Sequence, residues 1–596
     1  FIYTLSRHKM SNKSAQSPSY DLMVGLVVGS AVTAVLTLYS SREKPRSSSV
    51  FSSSSCCSPS GSTTNSLNVS HARQGHDLVT RMLTLFESTW GNASLSNARL
   101  GSRADGSTSV KALSGRCLNF ATPQEIKAAL DEAGGLEIQD QGLDGQGGKG
   151  DDALWRMLTK VNDFSVNTSH PLFLNQLFGP MDRSSLAAEL LSVMINTSNY
   201  TFEAAPPVAV IELSVLESTA KLLGWDFKSC SGLMIPGGSI SNLMALNCAR
   251  HHKFPATKEG GNAAMPPTPT AYVSAEAHYS FLKAVSVIGL GRENLVKVPT
   301  TATGAMCVDS LREAVKKTRA SGGTPFFVGC TAGSTVRGTF DPFDEVADVC
   351  KKEGMWMHVD GAWGGPAVFS RRDDMRALVK GVERSDSFTF NPHKLLGAPL
   401  QTTVFICHHA DALLSCNSSK AGYLFDKRKA NANFDIGDQT FMCGRKTDAL
   451  KFWALWRYRG TDGIARHVDA LRASTYCFAE KIRKHPSFMI AAKPWPFNLN
   501  FFFLPKRVRL LMEKEGVSTD TCSDDPLPES IAAALSTVAI DLKTAMMKSG
   551  KAMVPFQPIA NQTAQVFRIA LSGDVEFGEE EMDELMRLMI EYGDEM

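Results

Sequence analysis

Short apolar runs alternate with amphipathic helical patterns through the middle of this chain, and that alternation limits the possible folds more than any other feature. The strand-like runs are AYVSA (271–275), PFFVGC (325–330), MWMHV (355–359), SFTF (387–390) and TTVFIC (402–407). Between two of them, residues 341–354 carry apolar side chains at helical spacing, with Asp341 as the predicted cap and Gly354 as the stop. Strands that alternate with helices predict an α/β domain with a mostly parallel sheet.

Length and charge exclude several classes of protein. At about 100–200 residues per domain, 596 residues predict several domains or one large two-domain enzyme. The 62 basic and 60 acidic residues leave a net charge of +2, so there is no strong field to recruit nucleic acid, and we expect no such partner.

The cysteines predict neither a disulfide framework nor a metal centre. There are 13 of them, an odd number, without paired CxxC motifs, which favours reduced thiols in a cytosol-like compartment. Cys407, His408 and His409, with Cys416 nearby, lack the carboxylate or second Cys/His pair that would complete a set of ligands. We therefore expect no metal.

The N-terminal region reads as a tail (1–21), a hydrophobic segment (22–39) and a serine-rich linker (40–75). Residues 22–39 contain no charge and would form a helix of about 27 Å, just long enough to cross a bilayer. The basic residues that follow, Arg42, Lys44 and Arg46, favour a membrane anchor with the catalytic body in the cytoplasm. A cleaved segment that targets the chain to an organelle is the alternative.

The rest of the chain divides by texture into an N-terminal helical segment (76–195), a large domain (196–470) and a C-terminal small domain (471–596). The polar stretch 134–152 is predicted to be a loop, and it contains glycines in GxGxxG spacing. No strand precedes them and no apolar helix is evident after them, so the dinucleotide-binding interpretation fails.

Three features fall where strands of a parallel sheet would end, which is where ligands gather in such sheets. Asp360 directly follows MWMHV, and His393 and Lys394 follow SFTFNP. The third is PGGSISN (236–242), whose glycines would open a helix with exposed backbone N–H groups, an anion site to which Ser239 and Ser241 could add hydroxyl donors.

A phosphate cradle, a carboxylate and an amine on one rim suit pyridoxal 5′-phosphate (PLP). The aldehyde of PLP needs a lysine for a Schiff base, and its ring nitrogen needs an acidic partner to stay protonated. Burial makes a lysine lose its proton more readily, and the neutral amine is the better nucleophile. Lys394 and Asp360 are the candidates for these two roles.

Nine motifs in order give the chain a resemblance to the group II PLP-dependent amino-acid decarboxylases, in the branch of glutamate decarboxylase and cysteine sulfinate decarboxylase. The motifs are HPLFLNQLFGPMD, NTSNYTFEAAP, IPGGSISNLMAL, SAEAHYSFLKA, CTAGSTVRGTFDP, WMHVDGAWGG, NPHKLLGAPLQ, FMCGRKTDALKFWALWRYRG and VFRIALSG. They span residues 170–573, roughly two-thirds of the chain. The resemblance implies the aspartate aminotransferase fold (type I). In that fold a mostly parallel seven-stranded sheet carries helices on both faces, and a smaller α+β domain follows at the C-terminus.

The resemblance also implies roles for individual residues. Lys394 resembles the Schiff-base lysine, Asp360 the partner of the ring nitrogen, and His278 the imidazole that stacks on the cofactor ring. The remaining cofactor-binding positions that match the family are Gly238, Ser239, Thr331, Ala362, Asn391 and His393. Arg568 resembles the arginine that takes a substrate carboxylate, for which a guanidinium fork is better suited than a lysine.

The resemblance implies α-decarboxylation of a small acidic amino acid. Gln176 and Leu177 resemble substrate-pocket residues, and Phe178 stands where glutamate decarboxylases carry a small hydroxyl residue. A phenyl ring shortens the pocket, which favours cysteine sulfinate (giving hypotaurine) or aspartate over glutamate. Glutamate decarboxylation to 4-aminobutanoate is the alternative.

One segment departs from the family. The mobile active-site loop often offers a tyrosine that protonates the carbanion, but residues 423–438 are one residue shorter and have no tyrosine after Tyr423. An oxidative aldehyde synthase on the same scaffold is therefore a rival, and a membrane-tethered, non-enzymatic binding protein is a more distant one. The resemblance also implies a homodimer.

Overall fold

The computed structural model describes most of the chain from residue 115 onward. The described residues are 78, 80–82, 115–140, 142–143, 146, 148–426, 428–518, 526–560, 562–574 and 577–596. The predicted tail (1–21), hydrophobic segment (22–39) and linker (40–75) all lie outside them. Residues 73–596 belong to one compact unit, and the boundaries at 195/196 and 470/471 stay predictions.

A seven-stranded sheet forms the centre of this unit, in the order β1-β7-β6-β5-β4-β2-β3. Its strands are β1 (Ser231–Ile235), β2 (Pro269–Ser274), β3 (Leu295–Val298), β4 (Thr324–Thr331), β5 (Trp356–Gly361), β6 (Ser387–Phe390) and β7 (Thr403–Cys407). Strands β2 to β6 pair in parallel, and β7 runs antiparallel to both of its neighbours. The predicted mostly parallel sheet is confirmed.

Both faces of the sheet are buried, which explains why its strands read as continuous apolar runs rather than alternating ones. Successive residues enter opposite cores: Tyr272 and Val328 lie in one hydrophobic cluster, whereas Val273 and Phe327 lie in the other. Helices therefore cover both faces, as the resemblance implied.

The helices before, between and directly after these strands are α1 (Pro123–Ala133), α2 (Gly148–Phe164), α3 (Arg183–Ile195), α4 (Pro206–Leu222), α5 (Gly238–Lys253), α6 (Thr257–Gly260), α7 (Ser280–Val287), α8 (Val308–Ala320), α9 (Phe343–Glu353), α10 (Asp373–Leu378) and α11 (Ala412–Asn417). Helix α2 begins at Gly148, so the prediction that all of 134–152 is loop was wrong at its end. A glycine-rich composition hid the first turn, whose lysine and aspartates continue into an amphipathic pattern.

The start of α9 also differs from the sequence-based prediction. Asp341 is not its cap, because Pro342 occupies that position and makes no side-chain cap hydrogen bond. Instead the buried carboxylate of Asp341 accepts hydrogen bonds from the backbone N–H groups of Met306 and Thr331, each at 2.7 Å. It therefore ties the end of β4 to a neighbouring loop. Gly354 ends α9 with φ 63°, as predicted.

The C-terminal part is built on a four-stranded antiparallel sheet in the order β10-β11-β9-β8. Its strands are β8 (Phe488–Ile490), β9 (Asn498–Phe503), β10 (Phe556–Gln557) and β11 (Val566–Ala570). The helices of this part are α12 (Asp448–Lys484), α13 (Lys506–Glu515), α14 (Glu529–Leu535), α15 (Val538–Ser549) and α16 (Glu579–Gly593). Helix α12 is kinked at Gly460, where φ is 66°. A smaller α+β portion follows the large sheet, as implied.

One segment of the described residues, Glu529–Ser549, is long and apolar enough to pass as a membrane span, with a mean hydropathy of 1.3. Ile531, Leu535, Leu542 and Met546 on it are buried in the protein core. Core packing therefore accounts for part of its apolar composition.

Candidate active site

Asp360 lies at the carboxyl end of β5, beside Thr331 on β4 and Thr389 on β6 in the sheet register. Its side chain is 5% exposed. One carboxylate oxygen accepts a hydrogen bond from the backbone N–H of Ala362 (3.0 Å), and the other accepts from the side-chain amide of Asn242 (2.7 Å). These two donors fix the direction in which the carboxylate points.

Lys394 sits four residues beyond β6, on a turn that the backbone bond from its N–H to the Asn391 carbonyl closes at 3.0 Å. Burial lowers the pKa of the Lys394 ε-amine; the charge of Asp360 opposes this shift and that of Arg568 adds to it. Because more of the amine is neutral than on a surface lysine, it is a better nucleophile.

His393 turns away from solvent and is held in place by three polar contacts. Its Nδ1 lies 2.6 Å from the Thr402 carbonyl oxygen and 3.0 Å from the Thr402 backbone nitrogen. Its Nε2 lies 3.3 Å from the side-chain amide nitrogen of Asn391. Burial, with a contribution from the charge of Lys394, lowers the His393 pKa to about 4, so the ring is neutral at physiological pH.

The start of α5 is shaped to admit an anion. Gly237 precedes the helix with φ 96°, and it supplies no side-chain cap for the N–H groups of the first turn. A Cβ on Gly238 would lie 3.0 Å from the Ala362 methyl and 3.5 Å from the Asn391 amide. Ser239 is exposed here, whereas the buried Ser241 hydroxyl has local partners: it accepts from Thr389 at 2.9 Å and donates to the Gly237 carbonyl oxygen at 3.5 Å. Of the two predicted extra donors, Ser239 is therefore the better placed.

His278 is half-buried in the turn before α7. Its Nδ1 accepts a hydrogen bond from the Ser280 backbone N–H at 3.3 Å, which leaves the proton on Nε2. Burial lowers the His278 pKa, the charge of Asp360 opposes this, and that of Lys394 adds to it. The charges of both residues therefore act on the ring, and its stacking on the cofactor stays a prediction.

These residues fit PLP. The Thr331 hydroxyl oxygen and the side-chain amide oxygen of Asn391 are buried and find no hydrogen-bond partner among the described residues. Buried polar atoms without partners are costly, and a polar ligand between them would satisfy both. With Gly238 kept bare and Ala362 opposite, the cradle, the amine and the carboxylate converge. In this fit the α5 turn would hold the phosphate, Lys394 the aldehyde and Asp360 the ring nitrogen.

Arg568 approaches the same centre from β11. Its guanidinium donates to the backbone oxygens of Thr335 (3.0 Å) and Asn175 (3.5 Å), and its Nε has no hydrogen-bond partner among the described residues. Burial lowers its pKa to about 10, so it is charged at neutral pH. A buried cation with an unused donor is ready to take an anion.

The segment after Asn175 carries the predicted pocket residues. Leu177 is buried, Phe178 is half-buried and Gln176 is exposed. The Phe178 ring lies 6.0 Å from that of Phe173, within a small cluster separate from the main cores. The contact between Arg568 and the Asn175 carbonyl brings the start of this segment to the arginine.

A cavity of about 630 Å³ lies elsewhere, at the amino ends of β4 and β5, lined among others by Phe326, Trp356, Met357 and Asp386. None of the predicted site residues lines it. The convergence of charged and unpaired polar groups identifies the candidate active site better than the volume of this cavity does.

Sequence reasoning missed several residues of the site's support, chiefly Asn242, His358 and Asp341. Asn242 lies four residues after Gly238 on α5, and His358 lies two residues before Asp360 on β5, so both periodicities placed them on the site-facing side. Those spacings were the available signal.

A lysine, an aspartate and a helix start that meet at the carboxyl edge of such a sheet define a PLP-dependent enzyme. Residues 153–503 match the pyridoxal-dependent decarboxylase conserved domain. The chain belongs to this family of carboxy-lyases, and its cofactor is PLP.

Individual relatives agree with this assignment. The chain is 37% identical to mouse cysteine sulfinic acid decarboxylase over 455 residues, covering 76% of this chain and 86% of that protein. It is 36% identical to mouse acidic amino acid decarboxylase GADL1, covering 80% and 81%. The crystal structure of mouse CSAD superposes with a TM-score of 0.77 at 31% identity, covering 89% of this chain and all of the other.

Proposed function

We propose that this enzyme removes the α-carboxylate of a small acidic amino acid, with cysteine sulfinate as the preferred substrate and aspartate as the next. The observation that carries the proposal is the buried Arg568 guanidinium, whose Nε has no partner among the described residues. A buried fork of donors suits the carboxylate or sulfinate of a substrate side chain. The names of the two mouse relatives support the same class of substrate.

The residues of the site would divide the work. When bound, PLP supplies the electron sink that makes loss of carbon dioxide possible. Asp360 would hold a proton at the ring nitrogen, and Lys394 would hold the cofactor until substrate arrives. The neutral ring of His278 would cover one face, and Arg568 would orient the substrate by its side-chain acid.

The length of the substrate's side chain distinguishes glutamate from the shorter acids. Phe178 follows Asn175, whose carbonyl Arg568 contacts, by three residues, and at a pocket position its ring would leave less room than a small hydroxyl residue. A shorter acid than glutamate therefore suits the pocket, and 4-aminobutanoate formation from glutamate is the competing outcome.

Turnover of the purified full chain with PLP on cysteine sulfinate, aspartate and glutamate tests the substrate. We expect kcat/KM to be highest for cysteine sulfinate, and Phe178→Ser to move the preference toward glutamate. We expect Arg568→Lys to raise KM at least tenfold while the visible absorption of the bound cofactor stays unchanged. A preference of the unaltered enzyme for glutamate would contradict the choice of substrate.

Oxidative aldehyde synthesis is the second candidate, and the segment 423–438 is the observation that favours it. Tyr423 is 83% exposed, and no other tyrosine follows in the segment. Without a proton donor the carbanion could react with oxygen, giving aldehyde, ammonia, carbon dioxide and hydrogen peroxide from amino acid, oxygen and water. Peroxide and ammonia release in step with carbon dioxide would select this reaction, whereas amine without peroxide would select simple decarboxylation.

We also propose a symmetric homodimer. Helix α3 exposes a run of apolar side chains: Leu190, Leu191, Val193, Met194 and Ile195 are each between 42% and 64% exposed. Such a patch is typical of a protein–protein interface, and a two-fold dimer is the commonest assembly. Light scattering at micromolar concentration should give twice the chain mass, and Val193→Glu with Met194→Glu should lower it.

For the location, we propose a cytoplasmic catalytic body attached to a membrane through residues 22–39. The support is the sequence itself: a charge-free segment followed by Arg42, Lys44 and Arg46. The full chain should stay with membranes after carbonate extraction, and a chain lacking residues 1–75 should be released. If expression of the full chain gave a protein that had lost its N-terminal segment and lay inside an organelle, residues 22–39 would instead belong to a cleaved targeting segment.

A further inference from the structure

A line of buried hydrogen bonds leads from Asp360 back along the sheet to Trp356. The Asn242 amide donates to the Asp360 carboxylate at 2.7 Å, and its carbonyl oxygen lies 2.9 Å from Nε2 of His358. The other ring nitrogen of His358 lies 2.9 Å from the Ser387 hydroxyl, which is 2.9 Å from the Trp356 indole nitrogen.

The chemistry of the two ends fixes the direction of every bond. An ionised carboxylate only accepts, so Asn242 must turn its NH₂ toward Asp360 and its carbonyl toward His358. That carbonyl requires the proton of His358 on Nε2, which makes Nδ1 an acceptor of the Ser387 hydroxyl proton. The Trp356 indole can only donate, and it completes a chain in which every donor points toward Asp360.

The residues that form these hydrogen bonds are buried away from solvent. His358 and Ser387 are 0% exposed and Asn242 is 1% exposed. The rings of Phe281, Phe327 and Phe405 surround His358 with centroids 6.1–6.2 Å away. Burial lowers the His358 pKa to about 4, so the ring is neutral and remains a directed donor at physiological pH. Hydrogen bonds in such surroundings strengthen one another.

Asn242 has a second partner that locks its orientation. Its amide nitrogen also lies 2.8 Å from the Ser280 hydroxyl at the start of α7, two residues after His278. Both hydrogens of the amide are thereby used, one on Asp360 and one on the turn that carries the predicted ring-stacking histidine. A rotation of Asn242 would break contacts to α7, β5 and His358 together.

We propose that Asn242 and His358 are positioning residues, which set the direction of the Asp360 carboxylate toward the cofactor ring nitrogen. The proposal rests on the role assigned to Asp360 above. A carboxylate with free rotation would lose part of its hold on the ring nitrogen, because the correct orientation would then be one of several. The series of hydrogen bonds from Trp356 to Asp360, called the relay below, takes no part in substrate binding. Arg568 on β11 serves the substrate end of the site.

The test measures PLP binding to the apoprotein, independently of turnover. We expect Asn242→Leu and His358→Phe to raise the dissociation constant for PLP at least tenfold and to shift the visible absorption of the bound cofactor. In the holoenzyme, kcat should fall at least tenfold while KM changes less than threefold. His358→Gln should restore most of the loss, because its amide nitrogen can take the place of Nε2 as donor to Asn242.

A serine pair supplies a gentler test if a large substitution unfolds the protein. Ser387→Ala removes the donor that fixes the His358 tautomer, and we expect at least a threefold weaker affinity for PLP. Ser385→Ala is the matched control: this serine is also buried, two residues earlier, but its hydroxyl donates to the Val382 carbonyl. The control should stay within 1.5-fold.

The outcomes separate the two claims. If Asp360→Asn leaves PLP affinity and absorption unchanged, the role assigned to Asp360 fails. If Asp360→Asn weakens binding but the folded Asn242, His358 and Ser387 variants all stay within twofold of the unaltered protein, the relay is refuted and the role of Asp360 stands. His358 would be only a packing residue if His358→Phe weakened PLP binding, His358→Gln weakened it equally, and Ser387→Ala left it unchanged.

Discussion

At the scale of single residues, Gly238 shows how closely the chain approaches the space that PLP would fill. Its φ is not in the left-handed region, so the backbone itself would accept another residue. What limits a side chain is the space: a Cβ would lie 3.0 Å from the Ala362 methyl, which is too close without a shift, and would line the cradle beside the Asn391 amide at 3.5 Å. The glycine is therefore needed for the cradle rather than for the turn.

We predict that Gly238→Ala weakens PLP binding at least tenfold while the melting temperature of the apoprotein changes by only a few degrees. The added methyl presses on Ala362 and takes up space beside Asn391, and these two residues are the walls of the predicted phosphate end. Gly148→Ala, at the equivalent first position of α2, meets nothing within 4 Å and should leave binding unchanged. Equal effects of the two substitutions on binding would contradict the prediction.

At the scale of elements, a buried ion cluster joins α3 to α12. Lys451 is 0% exposed, and its amine lies 2.7 Å from Glu189 on α3 and 2.8 Å from Asp448 on its own helix. Lys446 approaches Glu189 from the solvent side at 2.5 Å and is 55% exposed. The same glutamate thus has one buried and one exposed cation, which allows a direct comparison.

We predict that Lys451→Met lowers the free energy of unfolding by about 3–5 kcal/mol, because it leaves the buried Asp448 carboxylate without its ion-pair partner and Glu189 with only its exposed one. Lys446→Met should cost less than about 1 kcal/mol, since an exposed pair gains little in water. Urea unfolding of the two variants measures both. Similar losses for the two would mean that Lys451 contributes no more than a surface pair.

At the scale of the whole molecule, two buried neutral histidines link stability to pH. His358 and His393 both have a pKa of about 4, mainly because burial disfavours the charged ring, against an ordinary value of 6.5. Between pH 6.5 and 4 the unfolded chain binds protons at these residues and the folded chain does not. Stability is therefore lost as the pH falls through that window.

We predict that the apoprotein loses stability on acidification from pH 7 to pH 4.5 and that His393→Asn makes this loss smaller. The full shift of 2.5 pH units at one histidine corresponds to roughly 3 kcal/mol at pH 4. Urea unfolding at several pH values gives the slope. The half-buried His251 is the comparison, and His251→Gln should change the slope much less.

The sequence by itself determined the sheet and the cofactor, and it selected the candidate site residues. Apolar runs buried on both faces and the helices between them follow from local composition, and Lys394, Asp360 and PGGSISN fall at strand ends by order along the chain. The cap predicted at Asp341 failed because a carboxylate next to a helix start can also bond distant N–H groups, and local sequence does not distinguish the two.

Only the tertiary structure decided which polar groups serve one another. The hydrogen bonds from Asn242 to Asp360, from His358 to Asn242 and from Arg568 to Asn175 each join residues more than 100 positions apart. Sequence spacing alone could not identify the partner in any of these bonds. Such contacts depend on how helices pack on the sheet, and packing is settled by the whole core at once. Local periodicity therefore predicts elements and faces, whereas the orientation of a buried carboxylate or a histidine tautomer is fixed only in the folded molecule.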